Sequence, residues 1–324
     1  MDVIRDFDAE CEWLLDACMK RISAYPPALR QPAQARLEDH WSLKQKRPHA
    51  FHIAYLLPFW LEEPFSLDRD ACRLVGLSNI FLVLYFMLQD ALMDADPGEY
   101  QGDLQPLGTF FFLDVIAPYR RLFGSDSPFW GRFEEYVAQW GQSVSWERQR
   151  HWRQVHAFEE ADRVRLARKA AAGKIPCAAL CMLAGQEEAI GFLERMVDNL
   201  MLTFQLTDDL RDWHEDLAQG HFTYFLTRVL AERGLDPSIS LTEMDVEKAL
   251  FAGAILDEFL ELMARYDRLA LECVSTLDAP YLKAYIALLD QGGRQLRQDL
   301  ETRRSERIRE QFAALIQKAP DPRG

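Results

Sequence analysis

Apolar residues recur along the chain at intervals of three and four. Breaks fall at Tyr25-Pro26-Pro27, Pro97-Gly98, Gly124-Ser125-Asp126-Ser127-Pro128, Gly173, Gly185, Gly220 and Gly234-Leu235-Asp236-Pro237. That interval is the buried stripe of an α-helix, and Gly and Pro at the breaks are the residues that end helices. About ten to twelve helices fit between the breaks. Val, Ile and Thr are scarce, which argues against a large sheet, while Leu, Ala, Glu, Gln and Arg are the residues helices favour. The pattern predicts an all-α chain. Composition is even and no repeat divides it, so the expectation is one helical domain over residues 1–319 with a frayed tail at 320–324.

Two of the predicted helices share an unusual design. The first, from about Asp68 to Asp94, has an uncharged body (Val75 to Leu88) that runs into Gln89-Asp90-Ala91-Leu92-Met93-Asp94. The second, from about Gln186 to Leu217, has an apolar body that runs into Thr207-Asp208-Asp209-Leu210-Arg211-Asp212-Trp213-His214-Glu215-Asp216, with Gly220 as its stop. Asp90 and Asp94 are one turn apart. Asp208, Asp212 and Asp216 are spaced i, i+4, i+8, which places them on one face. Like charges at that spacing cost about 0.2–0.5 kcal/mol per pair, and carboxylates near a helix C-terminus meet the wrong end of its dipole. Either cluster alone also fits a solvated helix end. Together they do not follow from folding, and bound cations would offset their repulsion.

The residues below the carboxylates are apolar. Asp90 follows Phe86 and Met87, then Val83; Asp208 follows Phe204 and Gln205, then Met201. Two such helices side by side would enclose a greasy cavity with carboxylates at its mouth. Hard oxygen donors of this kind suit Mg²⁺, which commonly joins one or two carboxylates to substrate phosphates. The implied ligand has a phosphate head and a hydrocarbon tail. Tyr55, Phe59, Phe86 and Phe204 are further candidates for the wall, where aromatic faces would stabilise a carbocation. A diphosphate leaving group also needs cations. Candidates are Arg168, Lys169, Lys174, Arg211, Arg303 and Arg304.

Charge and cysteine content narrow the setting. Lys and Arg number 37 against 51 Asp and Glu, a net charge of -14, which disfavours general nucleic-acid binding. The six cysteines form no CxxC pair and the seven histidines no HExxH pattern, so neither a disulfide framework nor a zinc site is expected. The start, Met1-Asp2-Val3-Ile4-Arg5-Asp6, is acidic rather than signal-like. The most apolar run, Leu74 to Leu88, is shorter than the roughly 20 residues a transmembrane helix needs. These features point to a cytoplasmic protein with no membrane span.

With these motifs the chain resembles the class I isoprenoid synthases. That superfamily comprises trans-prenyl diphosphate synthases, squalene and phytoene synthases, and class I terpene cyclases. Asp90-Ala-Leu-Met-Asp94 resembles its first aspartate motif in DxxxD form. Gln205-Leu-Thr-Asp-Asp-Leu-Arg-Asp-Trp-His-Glu-Asp216, followed by Gly220, resembles the second, most closely that of squalene and phytoene synthases. Phe51-His-Ile-Ala-Tyr-Leu-Leu-Pro58 is similar to their N-terminal segment. The 208/212/216 spacing also matches the cyclase metal triad, with aspartates where cyclases carry Asn, Ser and Glu. Gly292-Gly293 and Thr302-Arg303-Arg304 resemble the cyclase C-terminal arginine region without its tyrosine, and Arg168 with Gly173 resembles the diphosphate-sensing arginine and its glycine.

The resemblance implies an α-bundle around a central apolar cavity. It implies three Mg²⁺ held by Asp90, Asp94, Asp208, Asp212 and Asp216, a prenyl diphosphate substrate, and a homodimer. It gives diphosphate neutralisation to Arg168, Lys174, Arg211, Arg303 and Arg304. Within the superfamily, the first expectation is a terpene synthase that ionises a C15–C20 prenyl diphosphate, a carbon–oxygen lyase. The alternative is head-to-head coupling of the squalene or phytoene type. Chain elongation ranks below both, because the stretch after the first motif, Asp96 to Asp103, has no arginine. A helical lipid- or partner-binding protein is the non-enzymatic reading.

Overall fold

A computed structural model describes residues 2–46, 52–94, 104–234, 241–252 and 254–318. In chain order they form α1 (Asp8–Ser23), α2 (Pro27–Lys46), α3 (His52–Trp60), α4 (Arg69–Asp94), α5 (Leu104–Leu122), α6 (Phe129–His151), α7 (Glu160–Arg168), α8 (Ile175–Ala184), α9 (Ile190–Arg211), α10 (Trp213–Gln219), α11 (Tyr224–Arg233), α12 (Glu243–Ala252), α13 (Ile255–Cys273) and α14 (Pro280–Lys318). Short 3-10 turns lie at Arg5–Phe7, Ala171–Lys174 and Glu187–Ala189. Among the described residues no strand occurs, only an isolated antiparallel bridge between Trp152 and His221. The chain is all-α, as its periodicity predicts.

Several predicted breaks are helix stops. Gly185, Gly220 and Gly234 cap α8, α10 and α11 in the left-handed conformation. Pro97-Gly98, residues 235–240 and the tail at 320–324 lie outside the described residues. Gly292 and Gly293 do not interrupt α14.

The chain divides into two compact units. The first comprises Met1–Trp140, Ala170–Val197 and Leu271–Ile286; the second comprises Gly141–Lys169, Asp198–Ala270 and Ala287–Gly324.

In the first unit α4 packs against α1, α3 and α5. Its residues Val75, Ile80, Phe81, Leu84 and Leu88 are buried. Gly76 permits the close approach: a Cβ there would sit 3.2 Å from Leu14 Cδ2 and 3.3 Å from the Tyr55 carbonyl oxygen. The stretch Arg69–Met93 is long enough to cross a bilayer and its most apolar 18-residue window has mean hydropathy 1.8, so the length argument made from Leu74–Leu88 alone does not stand. Of its most apolar stretch, 61% is buried inside the protein, as in a core helix.

The second unit is built around α13. Ile255, Leu256, Phe259, Leu260, Met263, Tyr266 and Ala270 line its buried face at helical spacing, joined by Leu202 and Leu206 of α9, Trp213 of α10, and Phe225 and Val229 of α11. Fully burying an aliphatic or Phe side chain of this kind stabilises by about 1.5–3 kcal/mol. Asp267 is the charged exception on that stripe.

Candidate functional site

In the first unit α4 carries the Asp90 motif. Asp90 is exposed in the final turn and Asp94 is the last residue of the helix; the Asp94 side chain lies outside the described residues. Below Asp90 the helix is neither solvated nor fully packed, since Val83, Phe86 and Met87 are half-buried. The Phe86 ring meets Trp140 edge-on at 4.6 Å, and Tyr85 tilts against Phe112 at 5.0 Å. Tyr55 and Phe59 sit elsewhere in that unit. They are buried, Tyr55 stacked on Trp41 at 5.6 Å and Phe59 6.4 Å from Phe7. Lys174 is buried at the end of the 3-10 turn before α8.

In the second unit the predicted helix is not one piece. It starts late, at Ile190, and α9 ends at Arg211. Asp212 (φ -103, ψ 10) separates it from α10. The i→i−4 bonds nonetheless continue across the break, Asp212 N–H to the Asp208 carbonyl at 2.8 Å and Asp216 N–H to the Asp212 carbonyl at 3.1 Å. The three aspartates therefore keep one-turn spacing. Asp208 and Asp212 are exposed and Asp216 is half-buried, while Met201, Phe204 and Gln205 below them are half-buried too. Arg211 is exposed, and Arg168 is half-buried in the last turn of α7. Arg304 is committed to packing: its Nε donates to the Phe251 carbonyl at 3.0 Å and a terminal nitrogen lies 3.3 Å from Asp257. The Arg303 side chain lies outside the described residues.

Sequence reasoning passed over three residues here. Asp209 is buried; Gln205 Nε2 donates to its Oδ1 at 2.9 Å and the Phe225 N–H to its Oδ2 at 3.3 Å. Burial raises its pKa to about 7, against the pull of those donors. The adjacent Asp208-Asp209 pair was the available signal. Glu147, on α6, and His221, after α10, form a network with Asp216 and Lys169. Lys169 Nζ lies 2.6 Å from Glu147 Oε2, His221 Nε2 3.6 Å from Glu147 Oε1, and His221 Nδ1 3.3 Å from Asp216 Oδ1. Burial disfavours charge on Glu147, but Lys169 and His221 outweigh it and hold its pKa down to about 2. Burial likewise opposes charge on His221, but the two carboxylates win and raise its pKa to about 9. Glu147 sits in Ser145-Trp146-Glu147-Arg148-Gln149-Arg150, which reads as a solvated face, so no signal marked it.

The donor set fits Mg²⁺ by its chemistry. Asp208, Asp212 and Asp216 offer carboxylate oxygens, hard donors of the kind that bind Mg²⁺. Among the described residues no group of three or more His, Cys, Asp or Glu is assembled that could hold a metal ion.

Solved structures share this architecture. A polyprenyl synthase from Caulobacter crescentus, complexed with calcium and isoprenyl diphosphate, aligns with TM-score 0.72 at 17% identity over 90% of this chain and 96% of that one. The chain shares the all-α fold of that structure. A decaprenyl diphosphate synthase from Rhodobacter capsulatus gives TM-score 0.72 at 14% identity over 90% and 98% of the two chains. A geranylgeranyl pyrophosphate synthetase from Geoglobus acetivorans gives 0.65 at 16% over 90% and 99%. These identities establish the fold alone. No protein-family model and no curated protein sequence matches the chain.

Proposed function

We propose that the chain is a divalent-metal-dependent prenyltransferase that acts on prenyl diphosphates. The observation that carries the proposal is the acidic run Asp208–Asp216, on an apolar helix, within a fold shared over 90% of the chain with prenyl diphosphate synthases. The likeness supports chain elongation over the terpene synthase expected from the motifs. Asp90, Asp94, Asp208, Asp212 and Asp216 would hold Mg²⁺, which supplies charge stabilisation to the departing diphosphate. Arg168, Lys174, Arg211 and Arg303 are the cations assigned to the diphosphate oxygens. Val83, Phe86, Met87, Met201 and Phe204 exclude water from the prenyl tail and the allylic cation. The carboxylates act as ligands, not as general bases.

A terpene synthase remains the second reading, favoured by the lack of arginine in Asp96–Asp103. The deciding experiment is diphosphate release from C10, C15, C20 and C25 prenyl diphosphates, with and without isopentenyl diphosphate, in Mg²⁺ and in chelator, followed by mass spectrometry. The expected result is release that requires isopentenyl diphosphate and gives longer prenyl diphosphates. Release without it and a C15 hydrocarbon from farnesyl diphosphate would establish the terpene synthase, and a C30 product head-to-head coupling. Silence with every substrate would overturn the enzymatic reading in favour of lipid binding.

A further inference from the structure

Asp216 differs from the other two aspartates of its run. Asp208 and Asp212 are exposed, whereas the Asp216 side chain is 19% accessible and is engaged by an imidazole that is 17% accessible. Behind that imidazole stands Glu147, itself tied to Lys169. The ring is fixed from the backbone side as well. The Trp152–His221 bridge, the Arg153 N–H donating to the Gly220 carbonyl at 2.7 Å and the Phe222 N–H donating to the His151 carbonyl at 2.9 Å bind the segment after α6 to the turn after α10. The Trp152 ring lies 5.5 Å from the imidazole.

A carboxylate on a free helix end samples several rotamers, and holding it for a metal costs conformational entropy. A carboxylate already held by a clamped imidazole has met that cost in folding. We propose that His221 and Glu147 are positioning residues: Glu147 orients His221, and His221 orients Asp216 so that one oxygen is presented to a divalent cation. This rests on the reading that the 208–216 run binds metal.

The test is Mn²⁺ binding to the full chain with inorganic diphosphate, followed by electron paramagnetic resonance, with helix content checked by circular dichroism. His221→Ala and Glu147→Ala should weaken Mn²⁺ binding by roughly 10- to 100-fold. His221→Asn keeps an N–H close to the position of Nδ1 and should restore most of the affinity. In an Asp216→Ala background, His221→Ala should add nothing, because its effect passes through that carboxylate. Wild-type affinity in both His221→Ala and Glu147→Ala, with affinity lost in Asp216→Ala, would overturn the positioning role and leave the metal site intact. Unchanged affinity in Asp216→Ala would instead refute metal binding by this residue. Should His221→Ala lose its helix content, His221→Asn alone decides: near-normal affinity supports the proposal, and a loss equal to that of Asp216→Ala overturns it.

Discussion

In the first unit the buried carboxylate Glu10 lies between two arginines, Arg69 at 2.7 Å and Arg73 at 2.9 Å, and buried Asp114 is engaged by Arg21 and by the Tyr25 hydroxyl at 2.7 Å. In the second unit buried Asp209 and Asp267 are held by neutral donors. Gln205 and the Phe225 amide serve Asp209, and the Thr203 hydroxyl serves Asp267 at 2.9 Å. The consequences run in opposite directions. Burial works against charge on Glu10, but the two arginines prevail and hold its pKa below the usual range. Burial prevails at Asp267 and raises its pKa to about 6. Matched charges in the first unit serve stability. Among the described residues Asp209 and Asp267 have no salt-bridge partner, so ionising them opposes folding.

The largest test of that contrast is Asp212→Ala. It should cut turnover by at least roughly 1000-fold with helix content intact, as loss of a metal ligand does. Near-normal activity in Mg²⁺ would remove Asp212 from the ligand set. Glu10→Gln should do the reverse: destabilise by about 1–3 kcal/mol in urea melts and leave turnover per folded molecule unchanged. Its stability difference from wild type should be full above the unfolded-state pKa and disappear as pH falls through the lower folded value.

Asp267→Asn should have the opposite sign. A carboxyl raised from 3.8 to about 6 contributes its stability at low pH, and loses it as pH rises between those values. The variant should therefore be more stable than wild type by roughly 1–3 kcal/mol at pH 8 and close to it at pH 4. Stabilities that run in parallel with pH would break the comparison at this residue. Phe86→Ala opens the half-buried wall beside Trp140, and should shift product length or pattern a few-fold with metal dependence unchanged. Gly220→Ala should have the smallest effect, about 1 kcal/mol of strain from φ +72.

Much of this architecture was legible because it depends on local rules. Helical spacing predicted α4 to within a residue of its start, and glycines marked the stops of α8, α10 and α11. The acidic ends of α4 and α9 were visible because like charges at helical spacing oppose folding. The break at Asp212 was not visible, since Leu210-Arg211-Asp212-Trp213 contains no Gly or Pro. Nor were the aromatic neighbours of Tyr55 and Phe59, which lie 14 and 52 positions away in the chain.

What the sequence determined by itself was the helical class, the apolar stripes and the carboxylate runs, because periodicity and charge repulsion act between residues a few positions apart. The tertiary structure alone decided which charges meet. Glu147 and Asp216 are 69 positions apart in the chain, yet the same imidazole lies 3.6 Å from one and 3.3 Å from the other. The partners that hold the Glu147 pKa down and raise that of His221 lie far along the chain, and no local pattern records them.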